Sequence, residues 1–230
     1  MRRSLKTAGL SALIYAVSAI PALAAVVINS GNSGYQFQID YAGQVGGQAT
    51  PEVSALGTFT YNGVTNNGLT YNFAYSLTND STTTARLSGF AFNTNPNPTG
   101  GAVTGAFNNV NAGNYPEGFG SVDICFTDGG GSCAGGGSGG FYQNNTGVGT
   151  FSMTFAQVMS SVTLDQFVTR FQSISGVQAG TSGIGIGSVV GSTPITAPEP
   201  GTWLMLLGGF GMVGFAMRRR YASELRPQIV

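Results

Sequence analysis

The chain has 230 residues, with nine Lys and Arg, nine Asp and Glu, and no histidine. The absence of histidine excludes Ser–His and Cys–His nucleophile–base pairs and every metal site with a histidine ligand. Seven of the nine basic residues lie near the two ends of the chain, so residues 25–197 keep only Arg86 and Arg170 against seven acids. A nucleic-acid surface needs clustered basic side chains. We therefore expect no nucleic-acid partner.

The N-terminal segment has the three parts of a secretory signal peptide. A basic stretch over residues 1–6 precedes an apolar run over residues 8–20, and small residues follow a proline. We expect cleavage after Ala24, with Ala22 and Ala24 at the small-residue positions; cleavage after Ala25 is the alternative. The apolar run is short for a retained membrane anchor. The residues after the first two arginines match a twin-arginine signal poorly, so we expect export by the general secretion machinery.

A second apolar segment lies near the C terminus, at residues 204–217, and is followed by Arg218, Arg219 and Arg220. As a single hydrophobic helix it spans about 22 Å, against a hydrocarbon core of about 30 Å, so crossing requires local thinning of the bilayer. The arginines favour the cytoplasmic side and place the preceding residues outside. The basic start of the signal peptide requires the same topology.

The residues before this segment carry a motif. Pro198, Glu199 and Pro200 are followed by Trp203, a glycine-rich apolar run and the arginine cluster. Over residues 198–220 this pattern resembles the PEP-CTERM sorting signal in its Pro-Glu-Pro-x-x-Trp variety. The resemblance implies an exosortase, a membrane cysteine protease that cleaves near the motif, and a Gram-negative host that makes an exopolysaccharide matrix. A plain tail anchor, the alternative, would not require the Pro-Glu-Pro motif.

The middle of the chain shows the pattern of β-strands. Phe37, Ile39 and Tyr41 alternate with polar residues, as on a half-buried strand, and an Asn-Gly step at residues 67–68 favours a type I′ turn. Strands are predicted at residues 35–41, 56–61, 69–77, 85–93, 102–108, 119–126, 149–155, 162–171 and 184–190. This spacing, without helices between the strands, predicts an all-β fold, an antiparallel β-sandwich or jelly-roll-like ectodomain.

The expected organisation follows from these segments. It comprises a signal helix at 1–24, the ectodomain at 25–190, a linker at 191–197, the sorting signal at 198–220 and a short cytoplasmic tail at 221–230. Within the ectodomain, the segments 87–93, 123–126, 133–134 and 169–174 resemble the cistern family, a type of ectodomain found upstream of PEP-CTERM tails. That resemblance covers about residues 57–185 and implies no assigned activity.

Cys125 and Cys133 are the only cysteines of the chain. In an exported protein a close, isolated pair is most simply a disulfide. The alternative is a redox or metal-binding pair, although two sulfurs without histidine are too few ligands for a zinc site. A loop of this length contributes about 2.5 kcal/mol in the chain-entropy model.

The remaining candidates are acids and tyrosines. No acid lies in a catalytic motif, so no catalytic residue, metal or cofactor is predicted. Two pairs of acids are alternatives for calcium, although no EF-hand loop is present; they are Asp123 with Asp128, and Asp40 with Asp80. Arg86 and Arg170 are expected to pair with acids or to lie over the sheet. Four tyrosines are candidates either for stacking on sugar rings or for core packing: Tyr61, Tyr71, Tyr75 and Tyr142.

The expected function is that of an exported, exosortase-processed protein of the cell surface or the exopolysaccharide (biofilm) matrix, with a non-catalytic ectodomain. It would pass through an inner-membrane intermediate whose ectodomain lies in the periplasm. The first alternative is a carbohydrate-binding module that retains matrix polysaccharide, which requires a planar strip of exposed rings. The second is a secreted glycoside hydrolase, which requires two facing carboxylates about 5–10 Å apart.

Overall fold

A computed structural model describes residues 25–193. The predicted signal peptide, sorting signal and C-terminal tail lie outside the described residues. Between them the chain forms twelve strands and one short 3-10 turn at Asn66–Gly68. The strands are β1 Val26–Asn29, β2 Gln36–Val45, β3 Gln48–Thr65, β4 Thr70–Asn79, β5 Arg86–Asn95, β6 Gly100–Gly105, β7 Asn109–Tyr115, β8 Gly120–Thr127, β9 Phe141–Tyr142, β10 Asn145–Thr154, β11 Ser161–Gln172 and β12 Ser182–Thr193.

All strand pairs are antiparallel, and the strands join into one sheet in the order β6-β10-β4-β3-β2-β12-β11-β5-β8-β7. β1 adds to β11 and β9 adds to β5. The two terminal strands of this order, β6 and β7, are consecutive in the chain and lie close to each other. The sheet is therefore nearly closed on itself. The predicted all-β antiparallel fold is confirmed, with one continuous sheet in place of two separate ones.

The alternation read from the sequence matches the observed faces of β2. Phe37, Ile39 and Tyr41 are fully buried on the inner face. On the outer face, Gln36 and Gln38 donate hydrogen bonds to threonine hydroxyls of β3. Apolar side chains of this strand thus form part of the core, while its polar side chains link neighbouring strands on the outside.

The turn between β3 and β4 also follows the expectation. Asn66, Asn67 and Gly68 all have positive φ angles, of 53°, 54° and 88°. Positive φ at two central residues is the property of a type I′ turn that Asn and Gly tolerate best. The local sequence therefore sets this hairpin.

Two features differ from the sequence analysis. The short strands β1 and β9 and the glycine- and asparagine-containing β7 were not predicted, because each lacks a sustained apolar alternation. In addition, β12 continues through residues 191–193, which pair with β2 at Gln36–Gln38. The residues predicted to begin the linker therefore belong to the sheet, because backbone pairing to β2 continues past the last apolar residue of the strand.

The main core consists largely of aromatic rings from opposite walls of the sheet. The Phe151 ring of β10 stacks on Phe73 of the adjacent β4, with ring centroids 4.8 Å apart. The same ring lies 4.7 Å from Phe126 of β8 and 5.6 Å from Phe90 of β5. β8 and β5 are far from β10 in the strand order. Phe151 therefore joins the two walls across the interior.

A second, smaller cluster covers the outer face of β5, β8, β11 and β12. Its buried residues are Ala91, Tyr115, Val122, Cys125, Cys133, Val168 and Ile184. The tip of the β7–β8 hairpin bends across this face, so that Glu117 at the tip accepts a hydrogen bond of 3.1 Å from the Ser182 hydroxyl at the start of β12. This part of the sheet is therefore buried on both faces.

Phe151→Ala should lower the free energy of unfolding of the mature protein by about 3–5 kcal/mol, because it removes a buried ring and leaves a cavity between the walls. Urea unfolding measures the change. Val148→Ala is the matched control, since Val148 lies on the same strand but is 60% exposed; it should change the stability by less than about 0.5 kcal/mol. Equal effects of the two substitutions would contradict this account of the core.

Candidate functional site

The last residue of the sheet lies close in sequence to the predicted sorting motif. Thr193 pairs with Gln36, and only residues 194–197 separate it from Pro198. An extended chain reaches at most 3.3–3.6 Å per residue, so Pro198 lies within about 18 Å of the end of β12. The motif therefore begins directly beside the folded domain.

The motif residues themselves lie outside the described part of the chain, as do both predicted processing regions. They are Ala22, Ala24, Pro198, Glu199, Pro200, Trp203, Arg218, Arg219 and Arg220. Within residues 25–193, no helix has the length and apolar character needed to cross a bilayer. The hydrophobic segment at residues 204–217 stays a prediction from the sequence.

The structure contains the predicted disulfide. Cys125 lies on β8 and Cys133 in the loop that follows, with an S–S distance of 2.03 Å and a Cα–Cα distance of 5.6 Å. Both residues are buried against Ala91 and Val168 on the outer face of the sheet. The bond therefore fixes the glycine-rich segment after β8 onto that face.

A buried ion pair holds the same segment from inside. The Arg86 guanidinium donates to the Asp128 carboxylate and to the carbonyl oxygens of Gly139 and Gly136. It also donates to the Gln172 side-chain oxygen at 2.6 Å. Because every acceptor around the arginine is supplied by the loop or by β11, the buried charge is compensated. The loop over residues 128–140, here called the glycine loop, therefore encloses Arg86.

The glycines of this loop have a packing role. A Cβ atom at Gly140 would lie 2.2 Å from the Leu87 carbonyl oxygen, and one at Gly139 would lie 2.7 Å from the Asp128 Cβ. Both contacts are closer than any real Cβ contact. The backbone approaches the ion pair and β5 so closely that only glycine fits at these positions.

The second arginine of the domain also pairs with an acid. Arg170 donates to Glu117 at 3.4 Å and to the Gly183 carbonyl oxygen at 3.0 Å. Burial raises the pKa of the nearby Tyr115 phenol, and the Arg170 charge lowers it only in part. The prediction that Arg86 and Arg170 pair with acids is therefore confirmed, and both pairs fasten segments to the outer face.

Further acids take part in structural contacts. The two Asp123 oxygens accept hydrogen bonds of 2.9 Å from the Thr94 N–H and the Asn97 side chain. Asp80 accepts one of 2.6 Å from the Ser54 hydroxyl. In the described residues, no three or more Cys, Asp and Glu side chains group as metal ligands. The pair of Asp123 and Asp128 is divided between two separate networks, which argues against a shared calcium ion.

Three of the four candidate sugar-stacking tyrosines are core residues. Tyr61 and Tyr71 are fully buried and Tyr75 is 3% exposed, while Tyr142 is 47% exposed. Their predicted alternative role, core packing, is the one observed. A cleft of about 310 Å³ lies where β6 and β7 diverge, lined by both strands and by Asp123 and Ile124. It contains no aromatic side chain, so it lacks a platform for a sugar ring.

Arg86→Met should lower the free energy of unfolding by about 3–5 kcal/mol, because it leaves the Asp128 carboxylate buried without its cation. Arg170→Met is the matched control. The Glu117 side chain is 20% exposed, against 1% for Asp128, so water can solvate it and the loss should be smaller. Urea unfolding of the two variants gives the comparison. A larger loss for Arg170→Met would contradict the assigned role of the glycine loop.

Replacing Cys125 and Cys133 together with serine should lower stability by about 2–3 kcal/mol, because the unfolded chain loses its cross-link. Urea unfolding measures this loss, with the reduced natural protein as control. Non-reducing mass spectrometry of freshly exported protein should show the two cysteines linked within one chain. Two free thiols in that material would disprove the pairing in the cell.

Comparison with known protein families gives one result that bears on function. Residues 196–220 match the PEP-CTERM protein-sorting motif. Searches of curated proteins and of solved structures return no significant match. The match covers the predicted motif, the apolar segment and the arginine cluster. The chain therefore carries a PEP-CTERM protein-sorting motif directly after an all-β domain, which marks it as an exported protein targeted to an exosortase.

Proposed function

We propose that the protein is exported as a membrane-anchored precursor, trimmed by an exosortase and delivered to the outer surface or the exopolysaccharide matrix of a Gram-negative bacterium. The match of residues 196–220 to the PEP-CTERM motif carries this proposal. The β-domain is the cargo of the sorting signal. It acts as a structural component and performs no catalysis.

The positions of the two chain ends support this topology. Val26 pairs with Leu164 near the start of β11, and Asn29 pairs with Ser161. β12 runs antiparallel to β11, from Ile186 opposite Val168 to its end at Thr193. Both chain ends thus lie toward the same end of the sheet. A domain between a signal peptide and a C-terminal anchor in one membrane requires this arrangement.

The disulfide supports an oxidising destination. Disulfides form and persist in the periplasm and outside the cell, whereas the cytosol keeps thiols reduced. The Cys125–Cys133 bond closes the glycine loop over the outer face of the sheet. Folding of this loop is therefore coupled to export.

The contacts of the acids support a role without catalysis. A retaining or inverting glycosidase needs two carboxylates that face a substrate cleft. Here Asp128 and Glu117 are ion-paired, and Asp123 is held by two hydrogen bonds. The tyrosines that a carbohydrate-binding role would use are in the core, with the exception of Tyr142. The observations therefore favour a structural component over either alternative.

Replacing Pro198, Glu199 and Pro200 with three alanines should block trimming while leaving export and membrane insertion intact. The two prolines keep the segment extended outside the bilayer, which is the form that a protease binds, and they contribute little to insertion. Immunoblots of membrane and surface fractions should show an untrimmed precursor in the inner membrane.

The matched control replaces Pro227, Gln228 and Ile229, beyond the arginines, with three alanines. This variant should be trimmed and delivered like the natural chain. If the variant at residues 198–200 is also trimmed and reaches the surface at the normal rate, the tail is a plain anchor and the proposed processing is wrong.

A further inference from the structure

The end of the sheet from which the sorting tail leaves has a distinct surface. We call it the tail end and define it by the end of β12 and by four loops, at residues 30–35, 66–69, 96–99 and 155–160. We propose that the tail end contacts the lipid surface of the inner membrane in the anchored precursor, before trimming. This proposal rests on the proposed function, because it requires the sorting tail to hold the chain in the membrane.

The length of the connection places the tail end near the bilayer. Thr193 is paired in the sheet, and ten residues separate it from Trp203, where the apolar segment begins. Even fully extended, this connection reaches at most about 36 Å, and it includes the Pro-Glu-Pro motif. A short tether keeps the tethered surface at a high effective concentration, in the millimolar range, beside its target. Weak lipid contacts are then sufficient.

The tail end has no charged residue in its four defining loops, among the described residues. The β7–β8 loop carries Glu117 and would belong to this end by strand direction. It bends away instead, and Glu117 contacts Arg170 and Ser182 on the outer face. The nearest acid is Asp123, whose two oxygens are occupied by Thr94 and Asn97.

Three of the exposed large apolar side chains lie at or near the tail end. Val158 in the loop between β10 and β11 is 66% exposed, Val190 near the end of β12 is 56% exposed, and Val27 of β1 is 51% exposed. Exposed valines beside uncharged polar loops suit the interfacial zone of a bilayer, where apolar side chains gain by leaving water and no charge has to be desolvated.

The acids of the domain are concentrated away from this surface. Glu52, Asp80 and Asp128 lie at or near the opposite end, where Glu52 accepts backbone hydrogen bonds from the loop after β4. Residues 25–193 have two arginines and seven acids. An anionic membrane repels such a domain through its acidic parts. The repulsion therefore favours the orientation with the uncharged tail end toward the lipid.

A fluorescence experiment on the anchored precursor tests this orientation. The chain from residue 25 to residue 230 is reconstituted into vesicles of phosphatidylethanolamine and phosphatidylglycerol with a fraction of headgroup-spin-labelled lipid. One fluorophore is attached to Ala156→Cys at the tail end or to Ala179→Cys in the loop between β11 and β12 at the opposite end. Both alanines are exposed loop residues, so the two labels are matched.

The label at position 156 should be quenched at least about twofold more than the label at 179. Quenching requires approach to the headgroups, a zone about 5–10 Å deep, whereas a ten-residue strand such as β2 spans roughly 34 Å. Adding Val158→Asp to the 156-labelled chain should reduce the quenching to near that at position 179, because it places a charge on the contact surface. The same variant should keep its urea midpoint, since Val158 is exposed.

Equal quenching of the two labels in vesicle-bound protein would overturn the lipid contact and leave the sorting function intact. A chain that does not float with the vesicles would contradict the membrane-anchored intermediate itself. If preferential quenching at position 156 disappears without exosortase in the vesicles and the label instead crosslinks to the protease, the tail end is a protease-facing surface and the lipid proposal is wrong.

Discussion

The contact of aromatic rings across the interior is the interaction on which the rest of the structure depends. Phe151 touches Phe73 on its own wall and Phe126 and Phe90 on the other, so one ring joins strands from the two halves of the sheet order. Burial of these rings favours curvature of a twelve-stranded sheet until its terminal strands meet. The alternative, a flat open sheet, would expose this apolar surface and long strand edges to water.

Closure by the core has consequences for the outer face. With the inner face filled by rings, the arginines Arg86 and Arg170 are placed outside, where each fastens a different segment to the sheet. The glycine loop surrounds Arg86 and is also held by the Cys125–Cys133 bond. Its glycine content, which in isolation resembles a low-complexity linker, is a consequence of close backbone packing around a buried charge.

Much of this architecture could be predicted from local sequence, and the reasons are specific. The alternation of Phe37, Ile39 and Tyr41 gave their shared buried face, and Cys125 and Cys133 had no other partners in the chain. The closure of the sheet and the bend of the β7–β8 hairpin could not be predicted, since both depend on contacts between residues far apart in sequence. The glycine loop was missed as a structural element because its signal is the absence of side chains.

The account assigns one task to each part of the chain, namely export, a stable β-domain, and a tail that anchors and then releases it. The domain ends only a few residues before the PEP-CTERM motif, so trimming must take place beside the folded sheet. Intact-mass measurement of protein from the cell surface and the medium tests this claim most directly. The account predicts a disulfide-linked chain that begins at residue 25 and ends near Pro198–Pro200. Recovery at the surface of the full 23.5 kDa chain, ending at Val230, would contradict it.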